Sequence, residues 1–250
     1  MKPARILIIA GSDSGGGAGI QADLKTVTLL GGFAMTAITA ITAQNTLGVQ
    51  GVHPIPTDMV LAQMESCISD IGVDAVKIGM IGSAQTARAI ADYLVHISAP
   101  VVLDPVMVAT SGSVLADEET IAAMHELMTW ALVTTPNLPE LAALGGEAKL
   151  TERGETLLIK GGHAEGPILT DRLVDHHGEI ARWSDARIDT PHTHGTGCTM
   201  ASAIATGLGQ GMALPDAITR ARDYVRAALM LAPGFGGGHG PMGAPFTFHA

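Results

Sequence analysis

The chain has 250 residues, of which 47% are apolar and 3% aromatic, with 31 glycines and a formal charge of -10 at pH 7. This charge argues against nonspecific binding to nucleic acid or to an anionic membrane, since both are polyanions. The two cysteines are far apart in the sequence, which argues against a disulfide framework or a thiolate zinc site, so we expect a protein of the reducing cytoplasm. No apolar stretch reaches the roughly 20 residues that a membrane helix needs.

Short aliphatic runs alternate with longer helical periodicity, a pattern typical of parallel strands joined by crossover helices. The predicted strands are 6–10, 35–43, 75–78, 101–103, 132–134, 157–159 and 168–174. The predicted helices are 20–30, 59–71, 85–95, 118–130, 198–207 and 215–231. Polar caps are predicted at 57–58 for helix 59–71, at Ser83 for helix 85–95 and at Asp117 for helix 118–130. No composition break or repeat divides the chain, so we predict one α/β domain over residues 1–250.

A glycine-rich loop, residues 11–19, follows the first predicted strand and leads directly into a helix. Backbone N–H groups at such a helix start can face an anionic ligand. The strict G-x-G-x-x-G fingerprint is not met, and no Asp or Glu lies between Leu24 and Thr57 to hold a ribose. A P-loop is also excluded, because no G-x-x-x-x-G-K-[ST] segment occurs. The alternative interpretation is a mobile turn.

The strongest local signal is the segment 194–199, His-Gly-Thr-Gly-Cys-Thr, ahead of a helix of small residues. Small residues let backbone amides approach a phosphate closely, and the positive end of the helix points at the same position. The pattern predicts an anion hole for charge that develops in phosphoryl transfer. A thiol at this helix start is also expected to have a lowered pKa. The alternative is a tight turn with a buried structural cysteine.

Asp104, Glu140 and Lys160 each lie at or just beyond the end of a predicted strand. Ligands of open parallel sheets collect at the carboxyl ends of the strands. The two carboxylates are therefore candidates to hold Mg²⁺ beside ATP phosphates, and the lysine could neutralise phosphate charge. Each carboxylate alone is more often a helix cap or a solvated loop residue than a metal ligand, and a lone lysine is usually solvated.

Together these motifs resemble the hydroxymethylpyrimidine and phosphomethylpyrimidine kinases of the ribokinase superfamily. The similar segments are 10–25, 39–45, 77–80, 103–107, 135–140, 160–163 and 193–198. Residues 238–241 also resemble the closing segment of the family, which favours an ordered tail, although glycine content alone predicts fraying of 234–243. The resemblance implies a three-layer ribokinase-like α/β sandwich, with a central, mostly parallel sheet and helices on both faces.

The family transfers the γ-phosphate of ATP to 4-amino-5-hydroxymethyl-2-methylpyrimidine, and usually a second phosphate to the monophosphate, in thiamine biosynthesis. The resemblance implies ATP and Mg²⁺ as cofactors and a small pyrimidine as the partner, and it permits a homodimer. The implied site residues are Gly11, Asp23, Gln44, Met80, Val106 and Met107 for the substrate; Asn137, Lys160 and Thr196 for the nucleotide; Asp104 and Glu140 for the metal; and Gly195, Thr196, Gly197 and Cys198 for catalysis. Asp23 and Gln44 would pair with the amino group and ring nitrogens of the pyrimidine.

Cys198 stands where most sugar kinases of the superfamily carry an aspartate base. We expect its thiolate to help deprotonate or orient the substrate hydroxyl. The chain departs from the family between Glu140 and Lys160, where only 19 residues intervene and the segment 145–154 is too polar for a full crossover helix. We therefore predict a shortened or missing peripheral helix, with nucleotide positioning near Lys160 the feature most affected.

Three other functions fit parts of the pattern. Pyridoxal or pyridoxine kinase activity is one, because those substrates are also small heteroaromatic hydroxymethyl compounds, although Gln44 suits an aminopyrimidine better. A noncatalytic nucleotide-binding domain is another, but it could lose the carboxylates, Lys160 or the anion loop without penalty, and all are present. A dinucleotide-dependent oxidoreductase is disfavoured by the missing acidic residue.

Overall fold

The computed structural model describes residues 2–107, 118–164 and 166–245. The strands are β1 (Arg5–Asp13), β2 (Phe33–Asn45), β3 (Gly48–Pro54), β4 (Ala75–Ile78), β5 (Val101–Leu103), β6 (Val133–Thr134), β7 (Leu157–Ile159), β8 (Ile168–Asp175) and β9 (Gly178–Ala186). The helices are α1 (Gly19–Leu29), α2 (Thr57–Asp70), α3 (Ala84–Leu94), α4 (Glu118–Met128), α5 (Leu138–Ala143), α6 (Glu147–Glu152), α7 (Thr196–Gly209) and α8 (Leu214–Met230), with a 3₁₀ turn at Gly161–His163. The predicted strands and helices are therefore confirmed, with small shifts at their ends.

The strands form one sheet in the order β3-β2-β1-β4-β5-β6-β7-β8-β9. The central strands β2, β1, β4, β5, β6 and β7 pair in parallel with one another. At the two ends of the sheet, β3 pairs antiparallel with β2, β8 with β7, and β9 with β8. The central strands β4 and β5 are buried along their whole length, as expected for short apolar strands covered on both faces. The carboxyl ends of the parallel strands consequently meet at one edge of the sheet.

Two apolar cores lie on opposite faces of this sheet. Alternate residues of β1 point to opposite faces: Leu7 and Ile9 join one core with α2, α3 and α4, and Ile6 and Ile8 join the other with α1, α7 and α8. This three-layer arrangement is the fold that the resemblance implied. Among the described helices, none is both long and apolar enough to cross a membrane.

The segment between Glu140 and Lys160 contains two short helices in place of one long helix. α5 and α6 have six residues each. Between them Gly145 and Gly146 have φ values of 105° and 90°, a conformation that ends a right-handed helix. The predicted shortening is therefore confirmed, and its local cause is this glycine pair.

The predicted caps had different outcomes. Ser83 caps α3, because its side chain accepts a hydrogen bond from the Thr86 backbone N–H at 3.2 Å. The cap predicted at 57–58 is wrong: Pro56 occupies the N-cap of α2, which has no side-chain cap. The cap predicted at Asp117 lies outside the described residues.

The glycine-rich tail is tied to the body of the protein as the resemblance predicted. His194 N–H donates to Gly240 O at 3.2 Å, and Gly243 N–H donates to Ala228 O at 2.9 Å. The tail therefore passes beside the start of α7, and His239 lies at the wall of the cavity described next.

Candidate active site

A cavity of about 720 Å³ lies at the carboxyl edge of the parallel strands. Its lining includes residues from the ends of β1 and β2, from the segments after β4 to β7, and from the start of α7. Every predicted site residue except Asp23 lines it: Gly11, Gln44, Met80, Asp104, Val106, Met107, Asn137, Glu140, Lys160, Gly195, Thr196, Gly197 and Cys198. The fold thus brings motifs that are far apart in the sequence to one place.

The start of α7 presents backbone amides to this cavity. Gly195 is the N-cap and has a left-handed conformation with φ of 86°. Within the described part of the chain, the N–H groups of Gly195, Gly197 and Cys198 have no hydrogen-bond acceptor. A side chain on Gly195 would overlap the carbonyl oxygen of Gly17. Glycine is therefore required here both by backbone conformation and by packing.

Three charged side chains lie next to this helix start. Lys160 Nζ is 2.9 Å from Asp104 Oδ1 and 4.0 Å from Glu140 Oε2. Glu140 also forms a capping box with Asn137: the Asn137 N–H donates to Glu140 Oε2 at 2.8 Å, and the Glu140 N–H donates to Asn137 Oδ1 at 2.9 Å. Glu140 is consequently both a helix cap and a cavity carboxylate.

The electrostatics of Glu140 bear on cation binding. Burial raises the pKa of this carboxyl to about 7; Lys160 opposes the rise and Asp104 adds to it. In the described residues no group of three or more His, Cys, Asp or Glu side chains could hold a metal ion alone. Mg²⁺ is often held by one or two carboxylates together with water and substrate phosphates. The Asp104–Glu140 pair fits that mode.

The prediction of a lowered pKa for Cys198 is wrong. Burial raises the pKa of the thiol to about 12; Lys77 opposes this effect, and Asp23 and Asp104 add to it. The partial positive charge of the helix start is outweighed by desolvation and by the nearby carboxylates. The side chain is therefore a neutral thiol, which can orient a hydroxyl group but is not a ready base.

We expect slow alkylation of Cys198 as a result. In a Cys67→Ser variant, iodoacetamide should modify the remaining thiol of the folded protein on the order of 10³-fold more slowly at pH 8 than a free thiol, because so little thiolate is present. Mass spectrometry of timed samples measures the rate, and the same protein in urea is the control. Rapid labelling of the folded form would instead support a thiolate.

The structure also corrects the prediction for Asp23. Its carboxylate is fully buried and does not line the cavity. Lys77 Nζ lies 2.7 Å from Oδ2, and the Ser202 hydroxyl donates to Oδ1 at 2.7 Å. Both oxygens therefore have internal partners, because α1 packs against α7 and turns Asp23 inward. Lys77 is the member of this ion pair that reaches the cavity wall.

Asp13 is a site residue that sequence reasoning missed. Its carboxylate accepts hydrogen bonds from the backbone N–H groups of Gly15, Gly17 and Ala18 at 2.8, 3.1 and 2.8 Å. His194 Nε2 lies 2.8 Å from Asp13 Oδ2. The amides of the glycine-rich loop are thus used internally, so the loop is neither an open phosphate grip nor a mobile turn. An aspartate two residues ahead of glycines was the available signal.

Arg222 on α8 is a second missed residue. It is 4% exposed, forms an ion pair with Asp171, and donates to Asp185 Oδ2 at 2.6 Å. Asp171 in turn accepts from the Gly161 N–H at 2.8 Å, directly after Lys160. These contacts link α8, β8 and β9 to the wall beside Lys160. No spacing rule connects residues 171, 185 and 222, so the sequence offered no signal.

Comparison with known proteins agrees with this geometry. The family model described as phosphomethylpyrimidine kinase matches residues 13–243. A hydroxymethylpyrimidine/phosphomethylpyrimidine kinase of Rhizobium meliloti is 46% identical, over 94% of this chain and 95% of its own length. A thiamine biosynthesis multifunctional protein of Corynebacterium efficiens is 44% identical over 95% of this chain, which spans only 34% of that relative.

The fold has close counterparts among solved structures. An ADP complex of Bacillus subtilis pyridoxal kinase superposes with a TM-score of 0.87 at 33% identity, covering 97% of this chain and 98% of the other. A phosphomethylpyrimidine kinase from Clostridium difficile superposes with a TM-score of 0.76 at 35% identity, covering 91% of this chain and 99% of the other. Because the family model matches residues 13–243, which are most of this chain, the chain belongs to the phosphomethylpyrimidine kinase family.

Proposed function

We propose that this protein transfers the γ-phosphate of ATP to the hydroxymethyl group of 4-amino-5-hydroxymethyl-2-methylpyrimidine, and then a second phosphate to the monophosphate, in thiamine biosynthesis. The observation that carries the proposal is one cavity that joins Gln44 to the free amides at the start of α7. The names of the relatives and the ADP bound to a structural neighbour support it.

The pyrimidine end of the cavity is built for a small flat ring. The carboxamide of Gln44 offers a donor and an acceptor to an aminopyrimidine edge. The cavity that contains this carboxamide is also lined by residues with mostly apolar surface, which are Gly11, Met80, Val106 and Met107. A side chain on Gly11 would overlap the Met80 methyl group, so these two residues pack closely at this wall.

The other part of the cavity suits phosphoryl transfer. The free amides of Gly195, Gly197 and Cys198 donate to the migrating phosphoryl group, and Lys160 neutralises its charge. A side chain on Gly197 would lie 3.2 Å from Asp104 Oδ2 and 3.4 Å from Lys160 Nζ, which shows how closely these groups adjoin. Asp104 and Glu140 would hold Mg²⁺, which supplies charge neutralisation on the ATP phosphates. Asn137 and Thr196 border the nucleotide, and the Cys198 thiol orients the substrate hydroxyl.

Pyridoxal kinase activity is a second candidate, favoured by the close superposition on Bacillus subtilis pyridoxal kinase. A coupled assay of ADP production with the pyrimidine, with pyridoxal and without acceptor separates the candidates. We expect ADP production to depend on the pyrimidine, with kcat/KM for the pyrimidine higher than for pyridoxal. ADP production with pyridoxal alone would assign the second activity, and none with either would indicate a noncatalytic domain.

Lys160→Met should lower kcat on the order of 10²-fold in this assay, because it removes the cation that faces the transferring charge. Lys149→Met is the matched control, since Lys149 is an exposed lysine on α6, outside the cavity, and should stay within about twofold of the wild type. Equal activity of the two variants would remove Lys160 from the mechanism. One kinase domain over 1–250, a cytoplasmic location and a homodimer stay predictions.

A further inference from the structure

Gln44 is held in the cavity between Thr42 and His194. Gln44 Oε1 lies 3.1 Å from Thr42 Oγ1, and Gln44 Nε2 lies 3.4 Å from His194 Nε2. A 180° rotation of the carboxamide exchanges its oxygen and nitrogen with almost no change in shape. The hydrogen-bond partners on the two sides therefore decide which flip is stable, and with it what Gln44 offers to a ligand.

On one side the partner is the Asp13–His194 pair. The Asp13 carboxylate is ionised at neutral pH, because hydrogen bonds from His194 and the backbone outweigh the effect of burial and lower its pKa. An ionised carboxylate only accepts hydrogen bonds, so the His194 Nε2 atom 2.8 Å away must carry a hydrogen. An amide nitrogen turned towards this N–H would set donor against donor. The one Nε2 hydrogen is donated to Asp13, so Gln44 makes no full second hydrogen bond with it, but its carbonyl oxygen is attracted to the positive N–H that would repel the amide N–H.

On the other side the partner is the Thr42 hydroxyl, which has one hydrogen. Thr42 Oγ1 lies 2.8 Å from the backbone oxygen of Ser12, which can only accept. The single hydrogen is therefore used on Ser12, and Oγ1 is left as an acceptor towards Gln44. The amide nitrogen of Gln44 satisfies this acceptor, whereas its oxygen would not. Thr42 and His194 thus select the same flip.

We propose that Thr42 and the Asp13–His194 pair are positioning residues that hold the Gln44 carboxamide with its nitrogen towards Thr42 and its oxygen towards His194. One N–H and one oxygen lone pair then remain free for the substrate. In a 4-aminopyrimidine the amino donor adjoins a ring-nitrogen acceptor, and the hydroxymethyl carbon lies beyond the amino group. The fixed order of donor and acceptor consequently determines the direction in which the hydroxymethyl group points.

This inference rests on the proposed function, and it assigns a reason to the polar surroundings of Gln44. With the opposite flip the ring could pair only after turning over, which would carry the hydroxymethyl group to the other side of the cavity. A carboxamide free to rotate would bind the ring both ways, and only one way would be productive. Preorganisation of Gln44 should therefore lower the KM for the pyrimidine without acting on the nucleotide.

The test compares Thr42→Val, which keeps the shape and removes the hydroxyl, with Thr42→Ser, which keeps the hydroxyl. We expect Thr42→Val to raise the KM for the pyrimidine by about tenfold, the equivalent of one hydrogen bond, with the KM for ATP within about twofold. Thr42→Ser should restore most of the wild-type value. In a Gln44→Ala background Thr42→Val should have no further effect, because it acts through Gln44.

The His194 side is tested in the same assay. His194→Phe keeps a ring but removes the Nε2 hydrogen, and His194→Gln restores a side-chain N–H. Thermal unfolding of each variant establishes that it is folded. The expected result is a raised pyrimidine KM for the Phe variant that the Gln variant partly corrects.

Several outcomes would overturn the inference. They are an unchanged pyrimidine KM in Thr42→Val, equal effects of valine and serine, or an effect that persists without Gln44. If the wild-type protein makes ADP with the pyrimidine and Thr42→Val leaves the pyrimidine KM unchanged, this inference alone is wrong. A wild-type protein inactive with the pyrimidine overturns the proposed function and the inference together.

Discussion

Gly195→Ala should lower kcat/KM for the pyrimidine by at least about 10²-fold, the loss expected when the amides that face a transferring charge are displaced. Gly195 has φ of 86°, and a side chain there would overlap the backbone oxygen of Gly17. Because the atom that the new side chain would overlap belongs to the backbone, it cannot turn away as a side chain could. The start of α7 must therefore move, and the amides of 195–198 move with it. The ADP assay measures the loss.

Gly211→Ala is the matched control for this variant. Gly211 has the same φ of 86°, but a side chain there would meet open space. The alanine should therefore cost only the backbone strain of a left-handed residue, about 1–2 kcal/mol, and leave kcat/KM near the wild type. If the two variants lost activity equally, conformational strain and not the close approach to Gly17 would explain the result.

Asp23→Leu should lower the free energy of unfolding by about 3–5 kcal/mol, because it leaves the Lys77 ammonium buried and unpaired. Both side chains of this ion pair are fully buried and 2.7 Å apart. Burial alone lowers the pKa of Lys77, but Asp23 and the other nearby acidic groups outweigh it and raise that pKa, so Lys77 keeps its proton. Urea unfolding with an unchanged m-value measures the loss.

The double variant Asp23→Leu/Lys77→Met separates a broken pair from a lost contact. Replacing both charges by apolar groups should recover most of the stability, because no unpaired charge is left. Glu119→Gln is the surface control: Glu119 pairs with Arg88 at 3.1 Å but is 70% exposed, and removing it should cost less than about 1 kcal/mol. A double variant as unstable as Asp23→Leu would contradict this interpretation.

The sheet and the residues at its carboxyl edge could be predicted from local patterns. Apolar runs such as 101–103 are buried because strands in the middle of a parallel sheet are covered on both faces, so the run itself indicates the strand. Asp104 and Lys160 follow such runs, and the topology of parallel strands brings them to one edge. Gly195 and Gly197 were predicted from residue size and helix position, both local properties.

Other features depended on contacts between residues far apart in the chain. The helix-start pattern predicted a low pKa for Cys198, but the tertiary structure places the half-buried thiol near Asp23 and Asp104, and desolvation reverses the direction. The motif around Asp23 indicated a substrate contact, but packing of α1 against α7 gives both of its oxygens to Lys77 and Ser202.

The sequence by itself determined the α/β class, the seven strands and six helices predicted above, and the polar residues at the strand ends, because periodicity, strand length and glycine positions are local. Only the tertiary structure decided that Asp13 pairs with His194 and that His194 lies beside Gln44. These contacts join residues far apart in the chain, such as Asp13 and His194, which are separated by 181 positions, and no local pattern encodes them.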